Sequence, residues 1–114
     1  MEIKITKKRL IGKCGNCWCD YANFYLIHGR IYSDDGKYFK RFKFVAEINF
    51  SADGWDEEGQ RDYTEKEMLE NTIFSYIDCI DSFENCSYFF EICNDSIRKW
   101  NNEYRKMLCM KGGK

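Results

Sequence analysis

The 114-residue sequence predicts a single α+β domain in which an antiparallel sheet of about three strands precedes two helices. Three observations predict this. Apolar residues alternate along the first part of the chain, an acidic and glycine-containing stretch interrupts it, and helical periodicity follows. We therefore expect residues 1–50 to be mainly strands, 51–63 an acidic loop and 64–110 mainly helical. Apolar residues make up 44% of the chain and aromatic residues 18%, which excludes a disordered chain.

The strands are predicted from period-two patterns. Ile3 and Ile5 alternate with charged neighbours and predict a short first strand. Residues 21–32 are rich in aromatic and β-branched side chains and predict the second strand. The sequence Ser-Asp-Asp-Gly at 33–36 is typical of a turn. From residue 42 to 50 every second residue is apolar, which predicts a third strand with one buried face.

The helices are predicted from a cap and from spacing. Thr64 and Glu67 have the spacing of a capping box, in which each side chain bonds the other residue's backbone N–H. Apolar side chains follow at helical spacing in two series, from Leu69 to Phe83 and from Cys86 to Leu108. The junction between the series is either a turn or a continuation of the helix. Residues 87–93 contain enough aromatics to suit a strand as well.

Three of the seven cysteines, Cys14, Cys17 and Cys19, fall within six positions. An odd number of thiols cannot all pair, and cytosolic thiols are kept reduced, so disulfides are disfavoured. The sequence Cys14-Gly-Asn-Cys17 predicts a turn that directs both sulfurs to one point, as tetrahedral zinc requires. Two alternatives remain open. The thiols are buried apolar groups, or they are a redox pair, although such a pair normally opens a helix after a strand.

A closed structural zinc site needs about four ligands. If the chain turns near residues 81–85, one helix ends with a cysteine and the next begins with one. Both thiols would then converge on the Cys-x-x-Cys turn and fasten the helices to the sheet. The predicted ligands are Cys14, Cys17, Cys79 and Cys86. Cys19 or Cys93 is an alternative to either of the last two.

Catalytic chemistry has little support in the sequence. His28 is the only histidine, and we interpret it as a surface or packing residue. No phosphate-binding loop, dinucleotide fingerprint, metalloprotease motif or nucleophile elbow is present. We therefore expect a binding protein and not an enzyme.

Charge is distributed unevenly behind a net charge of −1. Residues 1–45 carry a net charge of +6, residues 46–97 carry −12 and residues 98–114 carry +5. Acidic side chains with aromatic anchors suit a basic protein partner and would repel nucleic-acid phosphates. The predicted partner-binding residues are Asp53, Trp55, Asp56, Glu57, Glu58 and Asp62.

The basic first segment supports an alternative function. A zinc-stapled sheet with a cationic surface is a reasonable DNA- or RNA-binding module. Its candidate contacts are Lys4, Lys7, Lys8, Arg9, Lys13, Lys40, Arg41 and Lys43.

No apolar run approaches the roughly 18 residues that a membrane span needs. The basic start of the chain lacks the apolar region and cleavage site of a secretion signal. We expect a cytoplasmic protein with no membrane partner.

The whole-chain character resembles that of small anti-CRISPR proteins, encoded by phages and mobile elements, that act on type II RNA-guided nucleases. The likeness lies in the short length, in the amino-acid composition of stretches such as "YANFYLIHGRIYSDDGKYF", and in the acidic "DGWDEEGQ" stretch. It implies a non-enzymatic inhibitor in the cytoplasm of a bacterial host cell. Such an inhibitor binds the effector nuclease and blocks its loading of target DNA. Zinc would make this chain a metal-stabilised member.

Overall fold

The computed structural model describes the backbone of residues 1–17, 20–50 and 64–104, and the side chains of residues 1–14, 22–49 and 64–104. The strands are β1 (Glu2–Cys17), β2 (Asp20–Tyr32) and β3 (Phe39–Phe50). The helices are α1 (Glu65–Ile77) and α2 (Ser87–Lys99), and a π-helical turn (Trp100–Tyr104) continues α2. The predicted α+β class, with the sheet first and the helices second, is confirmed. The predicted acidic loop lies outside the described residues.

The sheet is antiparallel throughout, with the strand order β1-β2-β3. The short first strand predicted around Ile3 and Ile5 is in fact 16 residues long. Its pairing with β2 shifts register between Ile5 and Lys7, between Leu10 and Gly12, and between Gly15 and Cys17. At each shift β1 has one more residue than β2, as in a β-bulge, and after the first two shifts the following side chains point to the opposite face. Cys14 to Cys17 therefore continue a strand, and the isolated turn predicted for them is corrected.

One face of the sheet, the inner face, packs against both helices. The buried side chains of this core include Ile27, Ile31, Phe42, Phe44, Ile48, Leu69, Ile73, Phe89 and Cys93. Tyr76 of α1 stacks on Phe44 with ring centroids 4.0 Å apart, and Phe89 of α2 meets Phe42 edge-on at 5.0 Å. Such aromatic contacts add to the stabilisation from apolar burial. The alternation predicted for the third strand is thus the alternation of this core.

Gly29 in the centre of β2 permits this packing. An added Cβ would lie 2.7 Å from the carbonyl oxygen of Lys4 and closer still to the ring of Phe42. The phenyl ring therefore occupies the space that a side chain would take, and β1 and β2 stay paired beside it.

Helix α1 begins with a side-chain cap, whereas α2 begins at Cys86, whose side chain makes no capping hydrogen bond. Thr64 and Glu67 form the predicted capping box, with each side chain bonded to the other residue's backbone N–H. Residues 78–86 separate α1 from α2, so the junction is a turn and not a continuous helix. The segment 87–93 is helical because Phe89 and Cys93, one turn apart, are both buried against the sheet. No helix in the described part of the chain is long and apolar enough to cross a membrane.

Helix α2 crosses the free edge of β3 and reaches the other side of the sheet. At the crossing, the backbone N–H of Val45 donates to Oγ of Ser96 at 2.9 Å, and the Tyr76 hydroxyl lies 3.4 Å from the Val45 carbonyl oxygen. These contacts satisfy edge groups that a strand normally leaves unpaired. Beyond the crossing, Trp100 and Tyr104 pack on Phe24, with ring centroids 5.0 and 4.7 Å apart.

Candidate functional site

The outer face of the sheet, opposite the core, has two different ends. At one end, the closed end, Ala22, Phe24 and Val45 are buried beneath the last turns of α2 and the π-helical turn. At the other end, the open end, described helices do not cover the strands, and the side chains are mainly cationic. The open end consists of rows of side chains that run across the three strands. Neighbouring side chains within a row are about 4.8 Å apart, and successive rows on the same face are about 6.7 Å apart.

Two rows define the open end. The first row pairs Lys4 with Arg30 and Arg30 with Arg41, and the second pairs Lys7 with His28 and His28 with Lys43. Arg9 follows in β1, and it is close enough to lower the pKa of His28. We call these six lysines and arginines the cationic rows: Lys4, Lys7, Arg9, Arg30, Arg41 and Lys43.

The bulge at Thr6 assembles this arrangement. Lys4 lies before the register shift and Lys7 after it, so an odd spacing of three residues places both on the outer face. In a regular strand they would point to opposite faces, because side chains alternate with period two. The bulge therefore adds Lys7 and Arg9 to the face that already carries Lys4.

The positive potential of the open end affects the pKa of His28. Its pKa is lowered from the ordinary value, first by burial and then by the charges of Lys7, Lys43 and Arg9. The imidazole is half-buried between the two lysines. A neutral histidine in this position adds no further repulsion to the row at neutral pH.

The cationic rows have few carboxylate partners. Among the residues whose side chains are described, Lys4 is the member with an ion pair, to Glu2 at 3.9 Å, and both side chains of this pair are largely exposed. Like charges directly opposite one another on a sheet destabilise it. Among the described side chains, carboxylates offset this repulsion only through the exposed pair of Lys4 with Glu2.

An aromatic pair adjoins the first row. Tyr32 at the end of β2 pairs with Phe39 at the start of β3, and their ring centroids are 5.7 Å apart. The guanidinium carbons of Arg30 and Arg41 lie 5.0 and 5.7 Å from the centroid of Phe39, and Nζ of Lys4 lies 5.6 Å from that of Tyr32. These are cation–π distances. Phe39 is nevertheless 44% exposed.

The structure divides the cations that the sequence suggested for nucleic-acid binding. Lys8, Lys13 and Lys40 pair with residues of the inner face, away from the rows. Nζ of Lys40 donates to the carbonyl oxygen of Phe83 at 2.6 Å, so it connects β3 to the segment between the helices. In their place the open end contains His28, Arg30, Tyr32 and Phe39, which the sequence analysis did not assign to a site. The alternation of polar residues along β2 could have identified His28, Arg30 and Tyr32, but not Phe39, which begins β3.

The structure does not bring the predicted zinc ligands together among its described side chains. Cys14 packs with the outer-face cluster around Phe24, whereas Cys79 and Cys86 pack with the core on the inner face. The side chain of Cys17 is outside the described set. No group of three or more histidine, cysteine or acidic side chains in the described ranges is placed to hold a metal ion.

Cys93, the alternative ligand from α2, is a buried thiol. Its pKa is raised to about 12, first by burial and then by the nearby Cys79. Because metals and electrophiles react with the thiolate, Cys93 is poorly suited to metal binding or nucleophilic chemistry. Its position against the core indicates a packing role.

The predicted acidic partner surface, residues 53–62, lies outside the described residues. The described helical half is itself acidic, however. Its exposed carboxylate side chains lie on the two helices, on the segment between them and on the π-helical turn: Glu67, Glu70, Asp78, Asp81, Glu84, Glu91, Asp95 and Glu103. The protein thus presents cations on the outer face of its sheet and carboxylates on its helices.

Comparison with known proteins adds no assignment: no protein family, curated protein or solved structure matches this chain.

Proposed function

We propose that the open end of the outer face binds the phosphate backbone of a nucleic acid. The observation that supports this is the set of cationic rows, in which six lysines and arginines face one side of three adjacent strands with one weak carboxylate contact among the described residues. A basic stripe on one face is the electrostatic footprint of a nucleic-acid-binding protein. Bound phosphates would attract these lysine and arginine side chains and so compensate the repulsion between them.

The acidic helices support the same proposal, because their carboxylates disfavour the approach of a nucleic acid from the helical side. A polyanion is repelled by the exposed carboxylates of α1 and α2 and attracted by the open end, so the charge distribution orients its encounter with the protein. This also explains how a chain with a net charge of −1 can bind an anion. The local field, and not the total charge, determines the contact.

The test is binding of a fluorescent single-stranded oligonucleotide, measured by anisotropy in a salt series. If all six cations contact phosphates, the slope of log affinity against log salt concentration is about −4. The double variant Lys7→Glu with Lys43→Glu should lose about 100-fold in affinity at low salt. The control variant Lys66→Glu with Arg98→Glu makes the same charge change on the helices and should bind like the parent. Equal losses in the two variants would show that position on the sheet is irrelevant and would refute the proposal.

A second candidate, the anti-CRISPR inhibitor, is supported by the acidity of residues 46–97 and by the exposed carboxylates of the helices. We propose that such a surface docks on a basic channel of a type II RNA-guided nuclease and prevents target-DNA loading. Replacing Asp53, Asp56 and Asp62 by lysine should abolish inhibition in a cleavage assay at low salt. The cationic-row variant should inhibit like the parent. If the reverse holds, the sheet and not the acidic segment contacts the partner.

We retain one structural zinc ion per chain as a proposal that rests on the sequence spacing of Cys14 and Cys17. Cys79 and Cys86 do not lie with Cys14, so the sequence offers Cys19 as the third thiol nearby, and a fourth ligand is still needed to close the site. Elemental analysis of protein purified without added metal should give about one zinc per chain. Cys17→Ser should remove it and lower the melting temperature, whereas Cys109→Ser should do neither. Metal-free protein that melts normally would refute this proposal.

A further inference from the structure

The aromatic pair at the edge of the cationic rows has no evident role in the core. Tyr32 and Phe39 lie on the outer face, on the side opposite the packed helices, and Phe39 keeps 44% of its surface exposed. The neighbouring Tyr38 is 67% exposed. An exposed aromatic pair in contact with cationic side chains offers a surface on which a flat ring can stack.

The β2–β3 hairpin holds this pair in a fixed position. Oγ of Ser33 accepts the backbone N–H of Tyr38 at 3.1 Å, and the Ser33 N–H donates to the Tyr38 carbonyl oxygen at 2.9 Å. A carboxylate oxygen of Asp35 accepts the Ser33 hydroxyl at 2.6 Å and the Lys37 N–H at 2.9 Å. Gly36 takes the positive φ of 75° that the turn requires. A ligand therefore meets rings that are already positioned, which reduces the entropy lost on binding.

The chemistry of the pair suits an unpaired base. Bases of a single strand stack on aromatic rings and on guanidinium planes, and both groups are present where Arg30 and Arg41 flank Phe39. A duplex keeps its bases stacked on one another, so it presents base edges and backbone but no free base face on which a ring could stack. The cationic rows alone would bind both forms, so the aromatic pair is the feature that discriminates between them.

We infer that the open end selects single-stranded over double-stranded nucleic acid, with Tyr32 and Phe39 stacking on a base while the cationic rows hold the adjoining phosphates. This inference rests on the proposed nucleic-acid binding and specifies its substrate class. Asp34 and Asp35 at the hairpin tip are exposed; Asp34 is paired with the N-terminal ammonium at 2.5 Å, whereas the carboxylate of Asp35 has no such cationic partner among the described residues and would repel phosphates. The strand is therefore expected to run across the rows and not along the hairpin loop.

The experiment compares three probes on the full chain: a labelled single-stranded DNA of about 16 nucleotides without self-complementarity, the same sequence as RNA, and the DNA annealed to its complement. Phe39→Leu keeps an apolar side chain against Tyr32 but removes the aromatic ring. It should weaken binding to the single strands about tenfold and change duplex affinity by less than about twofold. Phe39→Trp should restore single-strand binding. Phe74→Leu, which removes a 64% exposed ring from α1, should change nothing.

The outcomes separate the two proposals. If single strand and duplex bind equally and Phe39→Leu has no effect, selection by the aromatic pair is refuted while nucleic-acid binding stands. If no probe binds, both proposals fail. Binding of the chain to phosphatidylserine-containing vesicles but not to oligonucleotides would also overturn both. Thermal melting of each variant checks that Phe39→Leu is folded, and Phe39→Trp supplies the comparison if it is not.

Discussion

The closed and open ends of the outer face lie on the same three strands but differ in what covers them and in charge. At the closed end the chain extends α2 by a π-helical turn and places Trp100 and Tyr104 over Phe24. At the open end it places like charges opposite one another, and no described helix covers them. The closed end follows the rules of a stable core, and the open end accepts a repulsion that a core would avoid. This contrast is the strongest indication that the open end is the functional surface.

The contrast predicts its largest effect in stability at the closed end. Phe24 is 1% exposed and contacts two aromatic rings, so Phe24→Ala should lower the free energy of unfolding by about 3–5 kcal/mol. Phe39→Ala at the open end should cost less than about 1 kcal/mol, because its side chain is 44% exposed and lies outside the core. Urea denaturation of both variants measures the difference. Similar losses would mean that the two ends contribute equally to the fold.

A substitution where α2 crosses the edge of β3 is expected to have an intermediate effect on the free energy of unfolding. Ser96→Ala removes the acceptor for the Val45 N–H, which is then left unsatisfied beneath the helix, so the free energy of unfolding should fall by about 1–2 kcal/mol. Ser87→Ala, at an exposed position at the start of the same helix, is the control and should change it by less than about 0.5 kcal/mol. If the two variants unfold alike, the contact with Val45 does not hold α2 at the edge.

The smallest effect concerns pH and the open end. The lowered pKa of His28 leaves the imidazole neutral at pH 7 in the free protein. A bound phosphate favours the protonated form, so oligonucleotide affinity should rise a few-fold as the pH falls from about 8 to about 5.5. Stability should change in the opposite sense. The unfolded chain takes up the proton more readily than the folded one, so this contribution to stability falls as pH drops through the ordinary histidine pKa.

His28→Gln provides the check on this sign. It should retain binding at pH 8 and lose the increase at lower pH, as measured by anisotropy at constant ionic strength. An increase that persists in the variant would assign the pH dependence to another group.

The sequence predicted the elements whose patterns are local. The capping box of Thr64 and Glu67 and the alternation from Phe42 to Ile48 each follow from a few adjacent residues, and the structure contains both. It did not predict the length of β1, because the basic run Lys7 to Arg9 and the adjacent apolar residues Leu10 and Ile11 give no apolar alternation in this part of an edge strand. It also could not predict the bulge at Thr6, which depends on pairing with β2.

The candidate site could not be predicted from the sequence either, because it too depends on how the strands pair. A list of basic residues could not distinguish Lys7, on the outer face, from Lys8, whose cross-strand partner Ile27 belongs to the inner face. Only the register makes that distinction, since a shift of one residue exchanges the faces. Arg30 and Phe39 are far apart in sequence from Lys4 and join it through strand pairing. Likewise, the spacing of Cys79 and Cys86 gave no information about the side of the sheet on which Cys14 lies.

The most direct test of the central claim is a heteronuclear NMR titration of the labelled protein with the single-stranded oligonucleotide, because it reports both ends of the outer face at once. Binding at the open end predicts that the amide resonances of Lys4, Lys7, His28, Arg30 and Lys43 shift together in proportion to occupancy. Those of Ala22, Phe24 and the π-helical turn should remain unchanged. Shifts confined to the helices or to the closed end, or no shifts at low salt and saturating oligonucleotide, would contradict the claim.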